Sequence, residues 1–192
     1  MSITVNYWLA VIVISIVGTL AHFLYDWTHH NKIIGLFAAV NESTWEHIKI
    51  AITPTLLWSL YDGIFYGANP NYFLGKFVSL IALVIIIPTL YYSYKKIFKR
   101  QILPFDIAIF YIAILFSQLL FYVIICASPV LPVFKYLSCI GTFIFFGAYM
   151  TLTLAPLRNF IFKDPINGKY GFRAHTHLIK KVKNRTKLRR KK

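Results

Sequence analysis

The sequence predicts an all-α fold: a polytopic transmembrane helical bundle of five spans, N-out/C-in, with a basic cytoplasmic tail. Three observations carry that expectation. The 192 residues are 58% hydrophobic, and only 14% are charged, against roughly 25% in soluble domains. Mean hydropathy is +0.61. Five mostly apolar stretches reach the roughly 20 residues that a helix needs to cross a bilayer, and the positive charge falls on one side of them.

The spans are read at about residues 4–25, 46–66, 73–94, 103–127 and 133–155. The first has no Lys or Arg before Lys32 and no small-x-small cleavage site, so it reads as a retained span and not a signal peptide. Residues 31–41 cannot make a sixth crossing, because the apolar run Ile33–Val40 is too short; a re-entrant or surface-lying piece is expected there. Pro54 in the second span and Pro88 in the third should free the carbonyls of Ile50 and Val84 and kink both helices. The short loops Gly67–Tyr72 and Ser128–Pro132 imply two hairpins, spans two with three and four with five. After span five, Asp164-Pro165-Ile166-Asn167-Gly168 signals a turn. Residues 1–157 are therefore expected as the transmembrane domain and 158–192 as a polybasic tail.

Charge sets direction. With the tail inside, 19 of the 21 Lys and Arg are cytoplasmic and only Lys76 and Lys135 lie outside. Trp8 and Tyr72 would mark the outer interface, and Trp27, Trp45, Tyr91, Tyr92 and Tyr94 the inner one. Ten basic residues within Arg173–Lys192 fit attraction to anionic lipid headgroups of the bilayer. No folded recognition module accompanies them, which argues against nucleic acid as the partner. Cys126 and Cys139 fit neither a disulfide framework nor a metal spacing.

Ionisable groups beside lipid are costly and usually functional. Four of the six acids and four of the six histidines lie in residues 22–62: His22, Asp26, His29, His30, Glu42, Glu46, His47 and Asp62. His22 and Asp26, one turn apart, share a helix face. They could be metal ligands, a base with its orienting acid, or a structural hydrogen bond. Ser43 followed by Glu46 has capping-box spacing, which explains Glu46 structurally and leaves Glu42 and His47 unexplained. The amino terminus of span two, with Lys49 nearby, also suits an anion. Asp62 lies about 22 Å along the helix from His47, too far to share one site. It reads as an interhelical hydrogen bond or a step of an ion path. Gln118 should mark the bundle interior, Asp106 should pair with Lys99 and Arg100, and His175-x-His177 should be solvated.

The stretch from His22 through Pro54, centred on Asn41-Glu42-Ser43-Thr44-Trp45-Glu46-His47, resembles a family of small prokaryotic integral membrane proteins of unknown function with an Asn-Glu-Ser-x-Trp-Glu-His signature. Lys163-Asp164-Pro165 and Gly168-Lys169-Tyr170-Gly171 are also similar, so the resemblance covers about residues 5–172. It implies a multi-pass protein of the prokaryotic plasma membrane and adds weight to Glu46 and His47, but brings no activity.

Three functions compete. In the first, His22, Asp26, Glu46 and His47 bind a divalent metal such as Zn²⁺ at the cytoplasmic ends of spans one and two. Glu46 and His47 are then the catalytic residues of a hydrolase or transferase acting on a lipid or phosphorylated substrate. In the second, the chain is a small-ligand or ion binding or transport component, as a homo-oligomer or a subunit with another membrane protein. In the third, it is a scaffold whose polar cluster only locks the first two helices.

Overall fold

A computed structural model describes residues 1–175. It is all-helical in its long elements: α1 (Ile3–Trp27), α2 (Thr44–Tyr66), α3 (Tyr72–Phe98), α4 (Leu103–Cys126) and α5 (Pro132–Leu154). Among the described residues the only β pairing is one bridge between Lys163 and Tyr170. The five helices match the five expected stretches, with α3 continuing past residue 94 to Phe98.

Four of them, α1, α3, α4 and α5, are long and apolar enough to cross a membrane. Their outward faces are greasy: Ile12, Ile16 and Phe23 on α1, Ile112 and Phe116 on α4, and Phe143 and Ile144 on α5 all stand exposed. Such contiguous apolar surface marks a lipid or protein partner. α2 is the exception. It carries Glu46, His47, Lys49 and Asp62, and most of its first three turns are buried.

The packing explains this. α1, α2, α3 and α4 close a ring, each touching the next and α4 returning to α1, while α5 lies outside against α3. The expected hairpin of spans four and five is therefore not formed. Both flanks of α4 are taken by α1 and α3, and α5 has to settle on the far side of α3. Ile14, Ile48, Ile52, Leu80, Leu83 and Ile114 fill the ring.

At α2's far end, Asp62 is fully buried. It accepts from Lys76 Nζ, from the Tyr72 hydroxyl at 2.8 Å and from Asn6 Nδ2 at 3.4 Å. One carboxylate thus ties α1, α2 and α3, the interhelical role read for it. Lys76, counted from sequence as a charge of the outer side, is its buried partner, with Nζ also 3.7 Å from the Phe121 ring centroid. Tyr72 is likewise buried and not an interface marker. Asn71 completes this end: its amide nitrogen lies 3.0 Å from the Ile124 and Ala127 carbonyls, satisfying groups left open where α4 stops.

At the other end, residues 28–43 form a compact turn instead of a crossing. A 3-10 turn at Ile34–Leu36 leads into buried Ala38, Ala39 and Val40. The segment after α5 folds back onto this turn. Phe162 stacks on Trp45 at 4.9 Å, Asn41 Nδ2 donates to the Gly171 carbonyl at 3.0 Å, and Asp164 is buried. Phe162, Asp164, Ala174 and His175 are thus buried within the segment expected as polybasic tail, His175 in particular not being solvated, and Trp45 is core, not an interface belt residue. The remaining tail positions, including His177 and the basic residues from Lys180 to Lys192, lie outside the described residues.

Gly18 shows how closely α1 approaches its neighbours. A Cβ there would sit 2.6 Å from both the Ile50 carbonyl oxygen and Phe110 Cζ. Ile50 is the residue whose carbonyl Pro54 deprives of its helical donor. The crossing of α1 over α2 is therefore built on a glycine facing a released carbonyl.

Candidate functional site

Glu46 and His47 are adjacent in sequence, and a helix sends adjacent side chains about 100° apart. Glu46 turns inward. Its Oε2 accepts from Lys49 Nζ at 2.6 Å and from the Val40 amide at 3.0 Å, and Lys49 Nζ also donates to the Gly35 carbonyl at 2.8 Å. Both side chains are buried. The capping box expected from Ser43 and Glu46 is thereby altered. The glutamate does reach back to an amide, but to that of Val40, and the Ser43 side chain makes no cap bond. The Ser43 amide is satisfied by Asn41 Oδ1 at 2.8 Å and the Trp45 amide by the Ile161 carbonyl at 3.0 Å. An anion at this helix start would compete with both bonds.

His47 turns the other way, toward α1. Its Nδ1 lies 3.0 Å from the Ser43 carbonyl, which can only accept, so Nδ1 carries the hydrogen. In the neutral ring Nε2 is then the basic atom. It faces Glu42 Oε2 at 3.9 Å, and His22 Nε2 faces Glu42 Oε1 at 3.7 Å. The two imidazoles lie 5.6 Å apart between centroids. These Nε2–carboxylate gaps exceed hydrogen-bond length, so one carboxylate sits between two imidazoles without being spent on either. His22 Nδ1 is buried and has no hydrogen-bond partner among the described residues, an arrangement that calls for an explanation.

A cleft of about 410 Å³ opens over this trio, with His22, Phe23, Glu42, His47, Ile107 and Phe110 in its walls. Its polar floor lies at the loop end, and its sides are the exposed apolar residues of α1 and α4. The Thr19 and Tyr111 hydroxyls meet across it at 3.1 Å. Asp106 also borders the cleft, held by the Tyr94 hydroxyl and by Gln101 Nε2 at 2.8 Å, and not by Lys99 or Arg100 as expected. Tyr94 is buried in this contact.

The four residues read as one metal set are thus distributed. His22 and His47 face each other across Glu42, and Glu46 is held by Lys49. Asp26 Oδ1 lies 3.0 Å from both His30 Nε2 and His175 Nε2. The sequence reading left Glu42 without a role and did not pair His30 with Asp26, although their spacing of four was visible. His175, expected to be solvated, is instead buried, and arrives beside His30 from 145 residues further along the chain.

Gln118 is buried on α4 as expected, yet neither amide atom has a hydrogen-bond partner among the described residues. No curated protein and no solved structure matches the chain. A family model does, over residues 2–172, which include all five helices and most of the returning segment. The chain belongs to that family, described as "Family of unknown function (DUF6512)".

Proposed function

We propose that the chain spans the plasma membrane five times, N-out/C-in, with the first three turns of α2 enclosed by its neighbours. The cytoplasmic end then carries an acid–base site for an amphipathic, lipid-like or phosphorylated substrate. The observation that carries this reading is the cleft between α1 and α4, which has a polar floor of His22, Glu42 and His47 beneath apolar walls. An acyl chain entering from lipid would lie along Phe23 and Ile107 and set its polar end on the imidazoles.

The chemistry follows from the residues. His47 Nε2, fixed in orientation by the Ser43 carbonyl, accepts a proton from water or a substrate hydroxyl. Glu42, between the two rings, stabilises the imidazolium formed, and His47 returns that same proton to the leaving group, with the His22 ring facing it across Glu42. This supports a hydrolase or transferase. Glu46, the base expected from sequence, serves instead with Lys49 to hold the 28–43 turn onto α2. The scaffold reading is less economical, because Glu46–Lys49 and Asp62–Lys76 already lock the helices. The ion-path reading loses its outer step, since Asp62 is fully engaged.

Lipid extraction from purified protein, followed by mass spectrometry, tests the reading. Wild-type protein should retain an amphiphile that Ile107→Trp, which fills the cleft, and His47→Gln both release. Equal retention in all three would refute it.

A further inference from the structure

We infer that Asp26, His30 and His175 form a binding site for one divalent transition cation of the Zn²⁺ or Co²⁺ class. This site is separate from the His22–Glu42–His47 trio and does not depend on what the cleft binds. Asp26 Oδ1 lies 3.0 Å from each of the two Nε2 atoms, and the three donor atoms lie within 4.8 Å of one another. Tetrahedral ligands bonded at about 2.0–2.2 Å stand about 3.4 Å apart, so small side-chain movements would seat an ion. Two imidazoles with one carboxylate suit a borderline cation and leave a fourth position for water.

The backbone builds this convergence. α1 ends in a Schellman turn, with the His30 amide bonded to the Tyr25 carbonyl at 2.9 Å and the His29 amide to that of Asp26 at 3.2 Å. His29 and His30 both take positive φ, 53° and 65°, an uncommon conformation outside glycine in which Asn, Asp and His are the most frequent residues. The turn swings the His30 ring back over Asp26. From the other side, the packed returning segment delivers His175, whose ring lies 4.6 Å from that of His30 and edge-on to Tyr25 at 5.1 Å.

Electrostatics favours a cation here. The carboxyl end of a helix carries negative dipole charge and disfavours an acid, yet Asp26 sits in the last turn of α1, which holds no Lys or Arg, and its close partners are the His30 and His175 rings. A divalent ion would offset the carboxylate and the dipole together. Asp26 and His175 also line a cavity of about 160 Å³, as do His22 and Glu42.

Co²⁺ titration of the full chain, purified in detergent and freed of metal with chelator, reads the site through visible d–d absorption. One equivalent should bind with tetrahedral-type bands and be displaced by Zn²⁺. Asp26→Asn and His175→Gln should each weaken binding at least roughly tenfold, since even outer-shell changes cost that much. His22→Gln and Ile107→Trp should leave it unchanged. His30→Gln, on the half-exposed turn, substitutes for His175→Gln if the latter unfolds in chelator. Absence of stoichiometric Co²⁺ binding overturns the inference. So does binding that survives Asp26→Asn and His30→Gln, or binding that is lost in His22→Gln.

Discussion

Two polar regions meet at the start of α2, and they are built on opposite principles. In the Glu46–Lys49 pair every charge has a partner, both side chains are buried, and the bonds run to the amide of Val40 and the carbonyl of Gly35. In the His22–Glu42–His47 trio the groups approach without bonding, remain partly exposed, and border a cleft. The first region has nothing left to offer a ligand. The second keeps its basic nitrogens and carboxylate available. Adjacent residues of one motif thus divide between holding the fold and presenting chemistry, and the direction of each side chain decides which.

That division can be broken experimentally, starting with the largest effect. Lys49→Met leaves a buried carboxylate unpaired and should cost about 3–5 kcal/mol in a denaturant titration of the purified protein. Lys76→Met at the opposite end of α2 should cost about as much, for the same reason. The double variant Glu46→Leu with Lys49→Met should be less destabilised than Lys49→Met alone, because no charge remains buried without a partner.

Gly18→Ala comes next. The new Cβ meets the Ile50 carbonyl and the Phe110 ring, so α1 must move outward at a cost of about 1–3 kcal/mol. Because Phe110 borders the cleft, amphiphile retention should fall in the same variant. His47→Gln should shift stability by less than about 1 kcal/mol, since it removes one hydrogen bond from a partly exposed ring, while still releasing the amphiphile. Tyr111→Phe, which deletes a hydroxyl contact across the cleft mouth, should be the mildest, at about 0.5 kcal/mol.

Hydropathy made α1, α3, α4 and α5 legible, because each is long and apolar enough to cross a membrane whatever its neighbours do, and α2 was located although it falls short of that measure. It could not show the ring. Nothing in the short Ser128–Pro132 loop tells that α5 will leave α4 for α3. Charge counting treated Lys49 and Lys76 as signs of membrane side, whereas both are consumed by carboxylates inside the bundle. Pairing depends on which helices face one another, and a single sequence does not encode that locally. Within the candidate site, clustering drew attention to residues 22–62, but spacing alone could not say that Glu46 points inward while Glu42, outside the helix, stands between two histidines. His175 was hidden more deeply. Its role exists only because Phe162, Asp164 and Gly171 bring the returning chain back against the end of α1.

The most direct test of this division sets Glu46→Gln beside His47→Gln, measuring unfolding midpoint and retained amphiphile on the same preparations. The expected result is a split: Glu46→Gln lowers the midpoint strongly, whereas His47→Gln keeps it near wild type and loses the bound molecule. A His47→Gln protein that unfolds early, or a stable Glu46→Gln protein that alone loses the amphiphile, would contradict the assignment of one residue to the lock and the other to the cleft.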